Sequence, residues 1–169
     1  MKIVFLDIDG VMNDHRRLPN GFAPILPGPV ENLNRILHAV PEAMIVLSSA
    51  WRYAFPTDRS VENLLGCHGV DCGGRIHGAL ESDEASLGGR QNMPDWSERE
   101  AWHKLGVERR PAQIRKYLNG QIDGYVVLDD LPLDIPNLVQ TVPEIGLQYG
   151  HALRAISILN GGPNEAVKR

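Results

Sequence analysis

Lys2-Ile3-Val4-Phe5-Leu6-Asp7-Ile8-Asp9-Gly10 opens the chain with a short apolar run that acidic and turn-forming residues cut off. A strand apolar on both faces belongs inside a parallel sheet, because a strand with one wet face alternates. Beyond it, Pro19, Gly21, Pro24, Pro27, Gly28 and Pro29 mark a loop. Leu33, Ile36, Leu37 and Val40 then fall at helical spacing over residues 30–40, with Pro29 suited to the first helical position. Pro41 stops that helix, and Ala43-Met44-Ile45-Val46-Leu47 reads as a second buried strand ending at Ser48-Ser49. Strand, helix and strand make a βαβ unit with a right-handed crossover, so both strands end on one edge of the sheet.

Further along, the pattern predicts a helix over 61–65, a short strand over 73–77 and a polar, glycine-containing stretch over 81–102. A helix over 111–118, with Ile114, Tyr117 and Leu118 inward, precedes a strand over 125–128 that ends at Asp129-Asp130. A strand over 138–141 and a closing helix over 148–159, through Leu153, Ile156 and Leu159, complete an α/β chain: a doubly wound, three-layer architecture around a central parallel sheet.

The 169 residues suffice for one domain that needs no disulfide. Cys67 and Cys72, with His68 and His77, follow no zinc-finger spacing and read as two free thiols in a glycine-rich turn. A net charge of −4 excludes a broadly basic nucleic-acid binder but leaves room for a local patch. His15-Arg16-Arg17 fits either such a patch or ordinary solvated surface. No apolar run approaches the roughly 18 residues of a membrane span. Asp7 interrupts the N-terminal run before a signal-peptide core develops, so a cytoplasmic location is expected.

Ligands of doubly wound sheets bind at the carboxyl ends of the strands, where this sequence places Asp7, Asp9, Ser48, Ser49, Asp129 and Asp130. Carboxylates gathered on one edge repel one another and call for protonation or a cation, and all-oxygen donors favour magnesium. Singly, each motif has a plainer reading: Asp-x-Asp-Gly as a strand and turn, the serines and Asp129 as caps. Their recurrence at three strand ends favours a site.

Phe5-Leu6-Asp7-Ile8-Asp9-Gly10-Val11, Ile45-Val46-Leu47-Ser48 and Val126-Val127-Leu128-Asp129-Asp130 resemble, in order and spacing, motifs I, II and IV of the haloacid dehalogenase (HAD) superfamily of phosphohydrolases. The phrases Asp9-Gly10-Val11-Met12-Asn13, Leu47-Ser48-Ser49-Ala50-Trp51-Arg52 and Gly146-Leu147 resemble the branch found in bacterial RNA-repair (Swiss Army Knife) proteins. The resemblance implies a Rossmann-like HAD catalytic domain over 1–160, with 53–103 an insertion able to supply a small lid and 161–169 a flexible tail. No large cap domain fits between Asp9 and Ser48, where a helix and a Pro/Gly-rich loop fill the space.

The chemistry implied is a magnesium-dependent phosphomonoesterase with Asp7 as nucleophile, Asp9 as general acid and base, and Ser48 on a phosphoryl oxygen. Asp7, the Asp9 carbonyl and Asp130 would hold the metal, with Asp130 preferred to Asp129 as the second member of the motif IV pair. Arg110, before the Pro111 helix, is the expected cation of motif III, and Lys104 the runner-up. Ser49, Trp51 and Arg52 follow the second strand as substrate contacts, or else as a cap, a packed ring and a locally paired cation. Phosphorylated nucleic-acid ends or nucleotides are the implied substrates. A phosphotransferase or small-molecule phosphatase is the alternative, as is a phosphate-recognition module without turnover, against which the intact Asp7 and Asp9 count.

Overall fold

The computed structural model describes residues 1–14, 23–81, 98–118 and 122–162. His15-Arg16-Arg17, residues 82–97 of the expected lid and residues 163–169 of the expected tail lie outside them. Five parallel strands, β1 (Lys2–Leu6), β2 (Ala43–Leu47), β3 (Ile76–Ala79), β4 (Gly124–Asp129) and β5 (Leu138–Gln140), form one sheet in the order β3-β2-β1-β4-β5. The helices are α1 (Pro27–Ala39), α2 (Asp58–Cys67), α3 (Arg99–Tyr117) and α4 (Tyr149–Leu159), with a short 3-10 helix at Ala50–Tyr53.

β1 is central, and its side chains feed both faces: Val4 and Leu6 enter one core, Ile3 and Phe5 the other. That division explains why the run has no polar member between Lys2 and Asp7, and each such large side chain contributes about 1.5–3 kcal/mol by burial. Leu6 stands in register with Leu47 on one side and Leu128 on the other. The residues that follow, Asp7, Ser48 and Asp129, therefore emerge side by side.

α1 begins at Pro27, slightly earlier than the pattern implied, and buries Pro29, Val30, Leu33, Ile36 and Leu37 on one stripe. It packs beside α4, where Asn32 Nδ2 donates to the Leu147 carbonyl at 3.0 Å. Gly146, with φ of 66°, makes the approach to that helix possible: a Cβ there would lie 2.6 Å from the Val11 carbonyl oxygen.

Two elements depart from expectation. β3 occupies Ile76–Ala79 rather than 73–77, because Gly73 and Gly74 turn the chain, Gly74 at φ of 69°, before the strand can pair with β2. Residues 58–79 of the expected insertion thus add a helix and an edge strand to the sheet. α3 starts at Arg99, so Pro111 lies inside the helix and Arg110 does not precede it. An interior proline costs one backbone hydrogen bond. The helix hides from a periodicity search because its inward side carries His103, Gly106 and Arg110, which face the polar edge of the sheet rather than an apolar core. Among the described residues no helix is long and apolar enough to cross a membrane.

Candidate active site

The carboxylates at the carboxyl ends of β1 and β4 share one cation. Asp7 Oδ1 accepts from the Ile8 amide at 2.8 Å, and Asp7 Oδ2 accepts from Arg110 Nη1 at 2.6 Å. The same nitrogen donates to Asp129 Oδ2, while Asp129 Oδ1 accepts from the Leu131 amide at 3.0 Å. Asp130 Oδ2 stands 3.8 Å from His103 Nε2, and the Asp130 carbonyl accepts from Gln140 Nε2 at 3.0 Å. One oxygen from each of Asp7, Asp129 and Asp130 lies within 4.8 Å of the others, and all three residues are buried. Lys104 is elsewhere, its side chain 79% exposed and 4.0 Å from Glu108.

Burial, with the Asp7 charge adding to it, outweighs the opposing pull of Arg110 and leaves the Asp129 carboxyl raised to about 7. Burial works against the charge on Arg110 as well, but Asp129 and Asp7 outweigh it and raise the guanidinium further above its ordinary range. Three buried carboxylates lie together while the Arg110 guanidinium bonds two of them, and a divalent cation would relieve the crowding of like charge. The donors are all hard oxygens, so they suit magnesium. Among the described residues Cys67 and Cys72 are free thiols and join no cluster of metal-ligating side chains.

Ser48 is fully buried, and its Oγ has no hydrogen-bond partner among the described residues. Such a hydroxyl costs about 1–3 kcal/mol unless a ligand satisfies it, which a phosphoryl oxygen beside Asp7 can do.

The three residues expected at the substrate, Ser49, Trp51 and Arg52, are bonded within the protein. Ser49 Oγ accepts from the Trp51 amide at 3.3 Å and caps the 3-10 helix, the plainer of its two readings. Arg52 Nη1 donates to the carbonyls of Ser48 and Ser49 at 3.1 and 2.9 Å, and Nη2 donates to the Tyr53 hydroxyl at 2.9 Å. Trp51, only 6% exposed, stacks on Phe55 with ring centroids 5.9 Å apart and donates from Nε1 to Asp9 Oδ2 at 3.0 Å. The cause is the 3-10 turn itself, which folds residues 50–53 back over the strand ends.

Two supporting residues went unnoticed in the sequence as parts of the site. Asn13 is fully buried; its Nδ2 donates to Asp9 Oδ1 at 2.8 Å and its Oδ1 accepts from the Gly10 amide at 3.1 Å. Thr141 Oγ1 donates to the Gly10 carbonyl at 2.7 Å, fixing a turn in which Gly10 has φ of 73°. Asn13 lies within the quoted motif I phrase, whereas Thr141 carries no local signal.

A doubly wound parallel sheet with aspartates, a buried serine and a buried arginine on one edge defines an α/β protein with a polar site at the carboxyl ends of its strands. Over residues 3–152 the chain matches the family described as the HAD domain in Swiss Army Knife RNA repair proteins, and it belongs to that family. No curated protein and no solved structure matches it. The Rossmann-like HAD fold expected from the motifs is the fold observed, and no cap domain is evident among the described residues.

Proposed function

We propose that the chain is a magnesium-dependent phosphomonoesterase that passes the phosphoryl group through Asp7. The observation that carries this reading is the single Arg110 nitrogen bonded to both Asp7 and Asp129, beside the unpartnered Ser48 hydroxyl. Arg110 donates to Asp7 at 2.6 Å and is placed to meet the negative charge of a phosphoryl group. Asp7 attacks phosphorus, the bond from phosphorus to the leaving oxygen breaks, and Asp9 gives that oxygen its proton. Asp9, now a carboxylate, takes a proton from water as the water oxygen attacks the aspartyl-phosphate. Phosphate departs and the Asp7 carboxylate is restored. Ser48 Oγ donates to a phosphoryl oxygen throughout.

Asp7, the Asp9 carbonyl oxygen and Asp130 would hold magnesium, with Asp130 preferred to Asp129 as the second member of the motif IV pair; one oxygen each of Asp7, Asp129 and Asp130 lies within 4.8 Å of the others. When bound, the ion neutralises phosphate charge and orients the group for in-line attack. The family's occurrence in RNA-repair proteins and the lack of a cap domain among the described residues support a phosphate at the end of a nucleic acid as substrate.

The test is hydrolysis of an aryl phosphate with and without magnesium, by the native chain and by Asp7→Asn. Magnesium-dependent turnover lost in the variant is expected; turnover unchanged in Asp7→Asn overturns the reading. Specificity constants for a terminally phosphorylated oligonucleotide and the matching mononucleotide, at low and moderate salt, then decide the substrate. A strong preference for the mononucleotide overturns the nucleic-acid-end assignment.

A further inference from the structure

Asp9 is held from two sides by neutral donors that reach it from different parts of the chain. Trp51 Nε1 meets Oδ2 at 3.0 Å and Asn13 Nδ2 meets Oδ1 at 2.8 Å. The two donors are themselves fixed, Trp51 by its stack on Phe55 and Asn13 by accepting from the Gly10 amide. An indole N–H can only donate, so it steers a carboxyl oxygen without competing for the proton that oxygen carries. We propose that Trp51 is a positioning residue for Asp9: its N–H ties the end of β2 to the turn after β1 and fixes the carboxyl where protons are exchanged with the leaving oxygen and with water. The proposal rests on the phosphatase reading and deepens it. It also replaces a substrate-stacking role, for which a ring 6% exposed offers too little surface.

A carboxyl released from such a tie regains side-chain rotation, and misplacing a catalytic group by about 1 Å can cost on the order of a hundredfold in rate. Trp51→Phe keeps an aromatic ring against Phe55 and deletes the donor with part of the ring, so the comparison of the native and Asp9→Asn backgrounds separates the lost donor from lost packing. Ethyl phosphate, whose alkoxide needs a proton to depart, and para-nitrophenyl phosphate, whose phenolate does not, separate the two demands on Asp9.

The experiment measures kcat and KM on both substrates for the native chain, Trp51→Phe, Asp9→Asn and the double variant. Trp51→Phe is expected to lower kcat on ethyl phosphate by about ten- to a hundredfold with KM little changed, and to slow the initial release of nitrophenolate far less. In the Asp9→Asn background the same substitution should cost nothing further, because the group it acts through is gone. An unchanged kcat on ethyl phosphate, or an equal loss in both backgrounds, overturns the proposal while leaving the phosphatase reading intact. A native chain that turns over neither substrate with magnesium overturns that reading and takes the proposal with it. If Trp51→Phe fails to fold, the Trp51 indole proton in the NMR spectrum decides. In Asp9→Ala its resonance should move and exchange faster, and an unmoved resonance overturns the tie.

Discussion

Arg110 and Asp7, 103 positions apart in the chain, meet at 2.6 Å through a nitrogen that also holds Asp129. This pair couples α3 to the central strand, so the site cannot form before the helix docks. Gly106, one turn earlier on α3, sits where a Cβ would lie 2.7 Å from Leu131 Cδ1 and 3.4 Å from Arg110 Nη2, so the helix backbone approaches closely there.

Removing the guanidinium leaves two buried carboxylates facing each other. Arg110→Ala is therefore expected to lose about 3–5 kcal/mol of stability without magnesium, to recover part of it when magnesium is added, and to lose most turnover. Lys104→Ala should change neither, since that side chain points into solvent. Urea unfolding with and without the ion, alongside aryl-phosphate hydrolysis, checks both variants. Full activity in Arg110→Ala would assign the motif III role elsewhere.

The metal set is separable from the thiols. Asp130→Ala should raise the magnesium concentration for half-maximal activity by at least about tenfold, an effect of the kind seen when a metal site loses a ligating or supporting group. Cys67→Ser combined with Cys72→Ser should leave activity and metal content as they are. Metal analysis of the purified double variant is the check, and loss of a stoichiometric zinc would move the metal centre to the 67–77 turn.

Asp129 gives the metal-free protein a pH dependence of definite sign. Its folded value, about 7, lies above that of an unfolded aspartate, so the folded state holds the extra proton. The associated stability is complete below about pH 4 and is lost as pH rises through about 7. Asp129→Asn lacks this titration, so between about pH 5 and pH 8 its stability relative to the native chain should rise with pH. Urea midpoints measured across that range in a chelator decide it; a relative stability that falls with pH overturns the assignment.

The strands that carry the site were legible because β1, β2 and β4 are short, apolar on both faces and end at polar residues, a pattern that suits buried parallel strands. Their shared register then placed Asp7, Ser48 and Asp129 together without further information. α3 was legible only in its second half, since Ile114 and Tyr117 face apolar neighbours whereas His103 and Arg110 face carboxylates. No local rule reads a buried arginine from an exposed one, and Arg110 stood out among its basic neighbours through resemblance alone. The inward turn of Trp51 and Arg52 depends on a 3-10 helix of four residues, too short to leave a periodic signal. Thr141 reaches the Gly10 carbonyl across 131 positions, a contact that belongs to the folded sheet and not to any segment.

Ser48 offers a prediction in which stability and activity move apart. Its backbone amide continues the ladder to the Leu6 carbonyl at 2.9 Å, so the strand end does not depend on the side chain. Its hydroxyl is fully buried without a partner among the described residues, a state that costs about 1–3 kcal/mol. Ser48→Ala removes that cost and little volume, so the metal- and substrate-free protein should melt at the same temperature as the native chain or higher. A phosphoryl oxygen held by that hydroxyl loses a donor, and loss of one such donor costs on the order of a hundredfold in kcat. Thermal unfolding paired with aryl-phosphate kinetics reads both quantities from one variant. A lower melting temperature would mean that the hydroxyl serves the fold, and unchanged kcat would mean that it serves neither substrate nor transition state.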